Sequence, residues 1–120
     1  MSAIVLRPNQ EPQTVKNLGW LIRNWQGIEY MGFNYYPDSK NMIDGELIAK
    51  FRNGTTYLTD YASLSVCWDW LNRPIFQGLP FRLVRPNQTD NNRQDFTIGD
   101  AEWKRINRLE YAQFQKELSL

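Results

Sequence analysis

The chain contains no histidine and a single cysteine, Cys67. Without histidine there are no Ser-His or Cys-His nucleophile pairs, no imidazole general bases and few routes to a zinc or iron site. One cysteine excludes an intramolecular disulfide and thiolate metal clusters. The seven glycines are scattered and build neither a GxGxxG nor a Walker A loop. No cofactor and no metal is expected. No apolar run is long enough to span a bilayer, and Met1 to Gln13 lack a signal-peptide pattern. These absences lead to the expectation of a cytoplasmic protein without membrane contact.

Excess charge is also missing. Lys and Arg number 14 against 13 Asp and Glu, a net charge of +1. Nothing pulls the whole chain toward nucleic acid or an anionic membrane. Carboxylate-pair hydrolysis needs only two acids, so composition leaves it open. The 13 acids nevertheless read mostly as caps, turns and surface positions. Asp69, on the polar strip of a helix pattern, is the hardest to set aside. The reading is therefore not an enzyme.

Aromatic residues are plentiful, at 14%. A chain of 120 residues is long enough for one domain with a real core. Its clearest local signal is Asn53-Gly54, the preferred pair for a two-residue type I′ hairpin turn. That turn sets Phe51 opposite Thr56 and Ala49 opposite Leu58. One face then carries Leu47, Ala49, Phe51 and Leu58. The other carries Ile48, Lys50, Arg52, Thr55, Tyr57 and Thr59.

Asp60 follows as a helix cap. Tyr61 to Asn72 read as a largely buried helix with Ser65, Asp69 and Asn72 as its polar strip, ended by Pro74. Trp68 and Trp70 belong to its apolar arc. Ahead of the hairpin, Ile28 to Tyr36 read as a strand with two partly apolar faces, hence a central one or an edge with its outer face covered. Pro37 to Asn41 turn the chain back, giving a three-stranded antiparallel meander. Residues 1–13 read as an extended or mobile arm, and residues 14–120 as a single α+β domain. Thr14 caps a first helix from Val15 to about Gln26. After Pro74 come a short strand from Phe81 to Val84, a polar loop over residues 85–95, and a strand from Phe96 to Ile98. A last helix is capped by Asp100 and runs to about Glu117. Trp103, Ile106, Tyr111, Phe114 and Leu118 form its apolar side. The expected fold is α+β, an antiparallel sheet of three to five strands packed against two to three helices, in the order α-β-β-β-α-β-(β)-α.

Two surfaces stand out. Trp20 falls among polar residues of the first helix, near Lys16 and Arg23. Either another segment covers it, or it is an exposed anchor with flanking cations. On the last helix Lys104, Arg105 and Arg108 gather within little more than a turn. Arg82, Arg85 and Arg93 flank the polar loop and would extend that basic side. Nearby acids, Asp90, Asp95, Asp100, Glu110 and Glu117, bring the local charge close to balance. The expectation is a non-catalytic protein-binding domain, or one that binds itself, acting through an aromatic and arginine surface. Size and type suggest an accessory or inhibitor-type protein such as a phage or mobile element encodes. The alternative is a nucleic-acid-binding accessory protein using the basic face of the last helix.

Overall fold

Leu47, Ala49 and Phe51 alternate with Ile48 and Lys50, and this period of two builds a strand, β4 (Asp44–Phe51), at the middle of the fold. The structure, a computed structural model, describes residues 2–16, 18–36, 44–59, 62–86 and 88–118. Around β4 lie β1 (Ser2–Leu6), β2 (Gln13–Lys16), α1 (Gly19–Arg23), β3 (Ile28–Tyr35), β5 (Thr56–Thr59), β6 (Ala62–Ser63), α2 (Leu64–Leu71), β7 (Pro80–Val84), β8 (Gln94–Thr97) and α3 (Ala101–Leu118). They form an α+β fold with one eight-stranded sheet in the order β2-β1-β5-β4-β3-β7-β8, and β6 paired on β4. The turn expected at Pro37 to Asn41 and the cap at Asp60 lie outside the described residues, as do the side chains of Phe114 and Leu118.

The sheet is larger than the three to five strands expected, and it is mixed rather than antiparallel. β7 runs parallel to β3, with Met31 opposite Phe81 and Phe33 opposite Leu83. That pairing joins residues some fifty positions apart, beyond the reach of local turn signals. Of the two placements its partly apolar faces allowed, β3 takes the central one, flanked by β4 and β7.

At the N-terminus, Thr14 and Val15 do not open a helix. They belong to β2, which pairs antiparallel with β1 from Ser2↔Lys16 to Val5↔Gln13. β1 itself pairs with β5, and its alternate residues Ala3 and Val5 are buried. Burial of a paired apolar strand outweighs the weak helix preference of Val15, a β-branched residue. The helix is left with only Gly19–Arg23. Likewise Ala62–Ser63 pair with Asp44 and Gly45 of β4, so α2 starts at Leu64 rather than Tyr61. That shift rotates the expected faces: Ser65 is buried and Val66 is exposed.

The hairpin at Asn53-Gly54 is present, but its turn is one residue longer than type I′. Gly54 has φ of +88°, while Asn9 is the non-glycine residue with positive φ among those described. Asn53 therefore does not adopt the left-handed conformation that type I′ requires. Phe51 N–H donates to Thr55 O at 2.9 Å and Gly54 N–H to Phe51 O at 3.0 Å. This is a three-residue loop closed by a left-handed glycine. The register becomes Ala49↔Tyr57 and Ile48↔Leu58. A slip of one residue sends every β5 side chain to the other face. Tyr57 and Thr59 point into the core, and Leu58 points out. The buried Thr59 hydroxyl accepts the Leu47 N–H at 3.1 Å, so its polar atom is satisfied.

One core lies on one side of the sheet. Inward residues of β1, β3, β4, β5, β7 and β8 join Leu21 of α1, Trp68 and Leu71 of α2, and Trp103 and Ile106 of α3. Its centre is an aromatic cluster: Trp68 and Trp103 meet edge to face at 3.9 Å, and Phe81 lies 4.9 Å from Trp103. Trp103 Nε1 donates to Asn72 Oδ1 at 2.8 Å, tying α3 to the end of α2. Asp100 caps α3 as expected, its Oδ1 accepting the Trp103 N–H at 2.8 Å. Among the described residues no helix is long and apolar enough to cross a membrane.

The loop geometry makes a specific prediction. Gly54→Ala places a Cβ at φ +88° and 3.2 Å from Pro8 Cγ. It should cost about 1–3 kcal/mol, the range for a non-glycine residue in a left-handed conformation. Urea unfolding should show a lower midpoint with an unchanged slope.

Candidate functional site

The residues expected to bind fall at separate places. Lys104, Arg105 and Arg108 are exposed on α3. Arg105 is paired there with Glu102, one turn before it. Its hydrogen bond holds the Glu102 carboxyl below the usual range. Arg85 does not extend this face. Its Nη2 meets Glu110 Oε1 at 2.5 Å, and the Tyr35 hydroxyl donates to Glu110 Oε2 at 2.6 Å. The two charged side chains are 21% and 14% exposed, so this is a nearly closed clamp between α3 and the ends of β3 and β7. Arg85 thus braces α3 against the sheet, a contact that loop position alone could not reveal.

Lys16 sits exposed on β2, the edge strand, and not on the helix with Trp20. Trp20 is half-buried. Its ring stacks on Tyr57 at 5.7 Å and meets the edge of Phe51 at 5.6 Å. The N-terminal segment does reach it, since the Arg7 guanidinium lies 6.0 Å over the ring. Arg23 ends α1 and is exposed.

Arg82 and Arg93 belong to a different surface, the outward face of the sheet. The strand registers align a row across it: Ile4, Leu58, Ile48, Gly32 and Arg82. Ile4 and, beside it, Leu6 are 37% and 39% exposed. None of Ile4, Leu6, Ile48, Leu58 and Val84 joins the core cluster or packs against it. The helices meet the inward rings Tyr57, Phe51 and Phe81, so none of the described helices covers this face.

The aliphatic row runs into a cleft of about 290 Å³ walled by Tyr30, Asn34, Lys50, Arg82 and Arg93. The Arg82 guanidinium lies 3.7 Å over the Tyr30 ring. Lys50 Nζ donates to Thr56 Oγ1 at 2.9 Å. Arg93 is held by Asp95 at 2.9 Å. The Thr89–Asn92 cap shapes the turn that presents it, with Thr89 N–H donating to Asn92 Oδ1 at 2.6 Å. Sequence reasoning put Ile48 and Lys50 on the correct face of β4 but turned Leu58 inward, and it singled out none of Tyr30, Ile48, Lys50 and Leu58 as binding residues. The one signal was that both faces of β3 and β4 carry apolar side chains.

Asp69 is exposed on α2. Among the described residues no group of three or more Cys, Asp or Glu gathers to hold a metal. Cys67 is fully buried, and burial pushes its thiol from the ordinary 9.0 up to about 12. The folded protein keeps this proton while the unfolded chain releases it near 9.0, so the stability it contributes is complete below that pH and is lost as pH rises toward about 12. Burial raises the Tyr57 hydroxyl as well. Thiol reagents at mildly alkaline pH should therefore label Cys67 only when denaturant opens the core. Cys67→Ala should flatten part of the alkaline stability loss seen by urea unfolding.

No protein-family model, no curated protein and no solved structure matches this chain, so the reading of its function rests on the chemistry of its own surfaces.

Proposed function

We propose that the protein is a non-catalytic protein-binding domain, an accessory or inhibitor-type factor, and that its partner docks on the open face of the sheet. The supporting observation is the uncovered aliphatic row of Ile4, Leu58 and Ile48 leading to the Arg82–Tyr30 pair. Contiguous apolar surface left in water favours a partner that removes it. Tyrosine and arginine are the side chains that most often anchor such contacts, because each combines a large flat contact area with directed hydrogen bonds. A purely nucleic-acid surface would not need the aliphatic row.

A second reading, nucleic-acid binding, keeps one supporting feature. Lys104 and Arg108 stand one turn apart in solvent on α3. The Arg105–Glu102 pair lowers the charge available beside them.

Ile48→Glu and Arg82→Ala change outward side chains and should leave the far-ultraviolet circular dichroism intact. Each should weaken capture of a partner from source lysate, or self-association measured by sedimentation, by about tenfold or more. Lys104→Ala with Arg108→Ala should leave either unchanged. Equal capture and equal association by the wild type and both face variants would count against the docking face. For the second reading, tryptophan fluorescence should be titrated with oligonucleotides at two salt concentrations. Saturable quenching that weakens steeply with salt, and is lost in the Lys104/Arg108 variant, supports it; no change at low salt refutes it.

A further inference from the structure

Away from the sheet face, a second depression of about 310 Å³ lies beside Trp20. It is lined by Arg7 from the loop after β1, by Trp20, Arg23 and Asn24 at α1, and by Asn53 and Thr55 from the β4–β5 loop, with Gln26, Gly27 and Phe51 completing it. Its chemistry is one-sided. Two guanidinium groups line it, and none of the lining residues carries a carboxylate. The sheet-face cleft is different, since Asp90 lines it and Asp95 holds Arg93.

Among the described residues neither Arg7 nor Arg23 has a carboxylate partner. Arg7 Nη1 is steadied instead by the neutral Gln13 Oε1 at 2.6 Å, which orients the guanidinium without cancelling its charge. The remaining polar groups are mostly set up to donate. Asn53 spends its acceptor Oδ1 on the Thr55 N–H at 3.0 Å, which leaves its amide hydrogens to donate. Asn24 gives one amide hydrogen to Trp20 O at 2.8 Å and has a second to offer. The Gln26 carbonyl already accepts from Arg52 Nη1 at 3.4 Å, so it is not a free acceptor toward an anion. Trp20 and Phe51 supply an aromatic wall held edge to face.

We infer that this depression is a binding site for a small phosphate monoester whose organic part rests against the Trp20–Phe51 wall. Two guanidinium groups lining one depression match a group that carries close to two negative charges near neutral pH and offers three acceptor oxygens. Guanidinium forks also fit phosphate oxygens better than point-charge ammonium groups do. A concave, acid-free setting concentrates the positive potential where the anion would sit. A carboxylate would meet only half of that charge.

The test uses the full chain and phenyl phosphate as probe, with inorganic phosphate and benzoate as comparisons, all at constant ionic strength. Binding is read by calorimetry and by the indole Nε1–H signal of Trp20 in a nitrogen-15 spectrum, assigned with Trp20→Phe. Phenyl phosphate should bind saturably, inorganic phosphate more weakly for lack of the ring, and benzoate about tenfold more weakly for lack of the second charge. Arg23→Ala, a surface change at the end of α1, should cost about tenfold or more in phenyl phosphate affinity. Arg7→Ala should do the same with a native-like spectrum. Arg82→Ala should bind like the wild type, which separates this site from the docking face. Non-saturable shifts, benzoate binding as tight as phenyl phosphate, or full affinity in a folded Arg23→Ala protein would each overturn the assignment.

Discussion

The three-residue loop after Phe51 sets the register of β4 against β5, and both candidate surfaces depend on it. With Gly54 in the left-handed conformation, Tyr57 turns inward and Leu58 outward. Tyr57 then offers the ring on which Trp20 stacks, and so builds one wall beside the second depression. Leu58 completes the aliphatic row between Ile4 and Ile48. The two-residue turn would exchange these roles. A buried Leu58 would leave Tyr57 and Thr59 in solvent, and the Leu47 N–H would lose the hydroxyl that accepts it. Side-chain period in a strand is two, so no intermediate arrangement exists.

This explains what was legible in the sequence and what was not. Asn53-Gly54 marked a hairpin correctly, because glycine is the residue that takes positive φ without cost. It did not specify how many residues the loop spans, since Asn-Gly suits both lengths. Asp100 was readable as a cap, because capping is a contact within one turn and needs no tertiary partner. Val15, Leu18 and Leu21 were readable as core from the apolar side of the helix pattern, and all are buried. Ile22 and Trp25 on that same side are half-buried and exposed. The element holding Val15 was not readable. Its state is decided by β1, which offers it a paired strand. The parallel β3–β7 pairing is likewise a long-range choice. The open face of the sheet was hidden for the same reason. Partly apolar faces on β3 and β4 show that both sides bear hydrophobic residues, but only the crossover to β7 decides which side receives the helices.

Arginines illustrate the limit of sequence proximity. Arg82, Arg85 and Arg93 looked like one basic cluster around a loop. Arg82 lies on the outward side of β7 and stacks on Tyr30. Three residues on, the strand has ended, and Arg85 turns to the Glu110 clamp. Arg93 sits beyond a helical turn, fixed by Asp95 and the Asp90 carbonyl. Strand alternation and local acids sort like charges into a surface group, a structural brace and a rim. Counting cations along the chain cannot make that separation, because each guanidinium is defined by the partner it meets.

What remains on the surface follows a common device. Arg7 lies over Trp20, Arg73 over Trp70 at 4.6 Å, and Arg82 over Tyr30. In each pair the guanidinium carbon lies over an aromatic ring, between 3.7 and 6.0 Å from its centre. The in-plane N–H groups stay available, because stacking does not use them. The ring restricts a long side chain that would otherwise sample many rotamers, and therefore reduces the ordering cost a partner must meet on binding. A carboxylate would orient the arginine as firmly but would cancel its charge, as Glu110 does for Arg85. Stacking orients without neutralising. In a chain without histidine, arginines held beside aromatic rings keep a permanently charged donor at the depression beside Trp20 and on the sheet face.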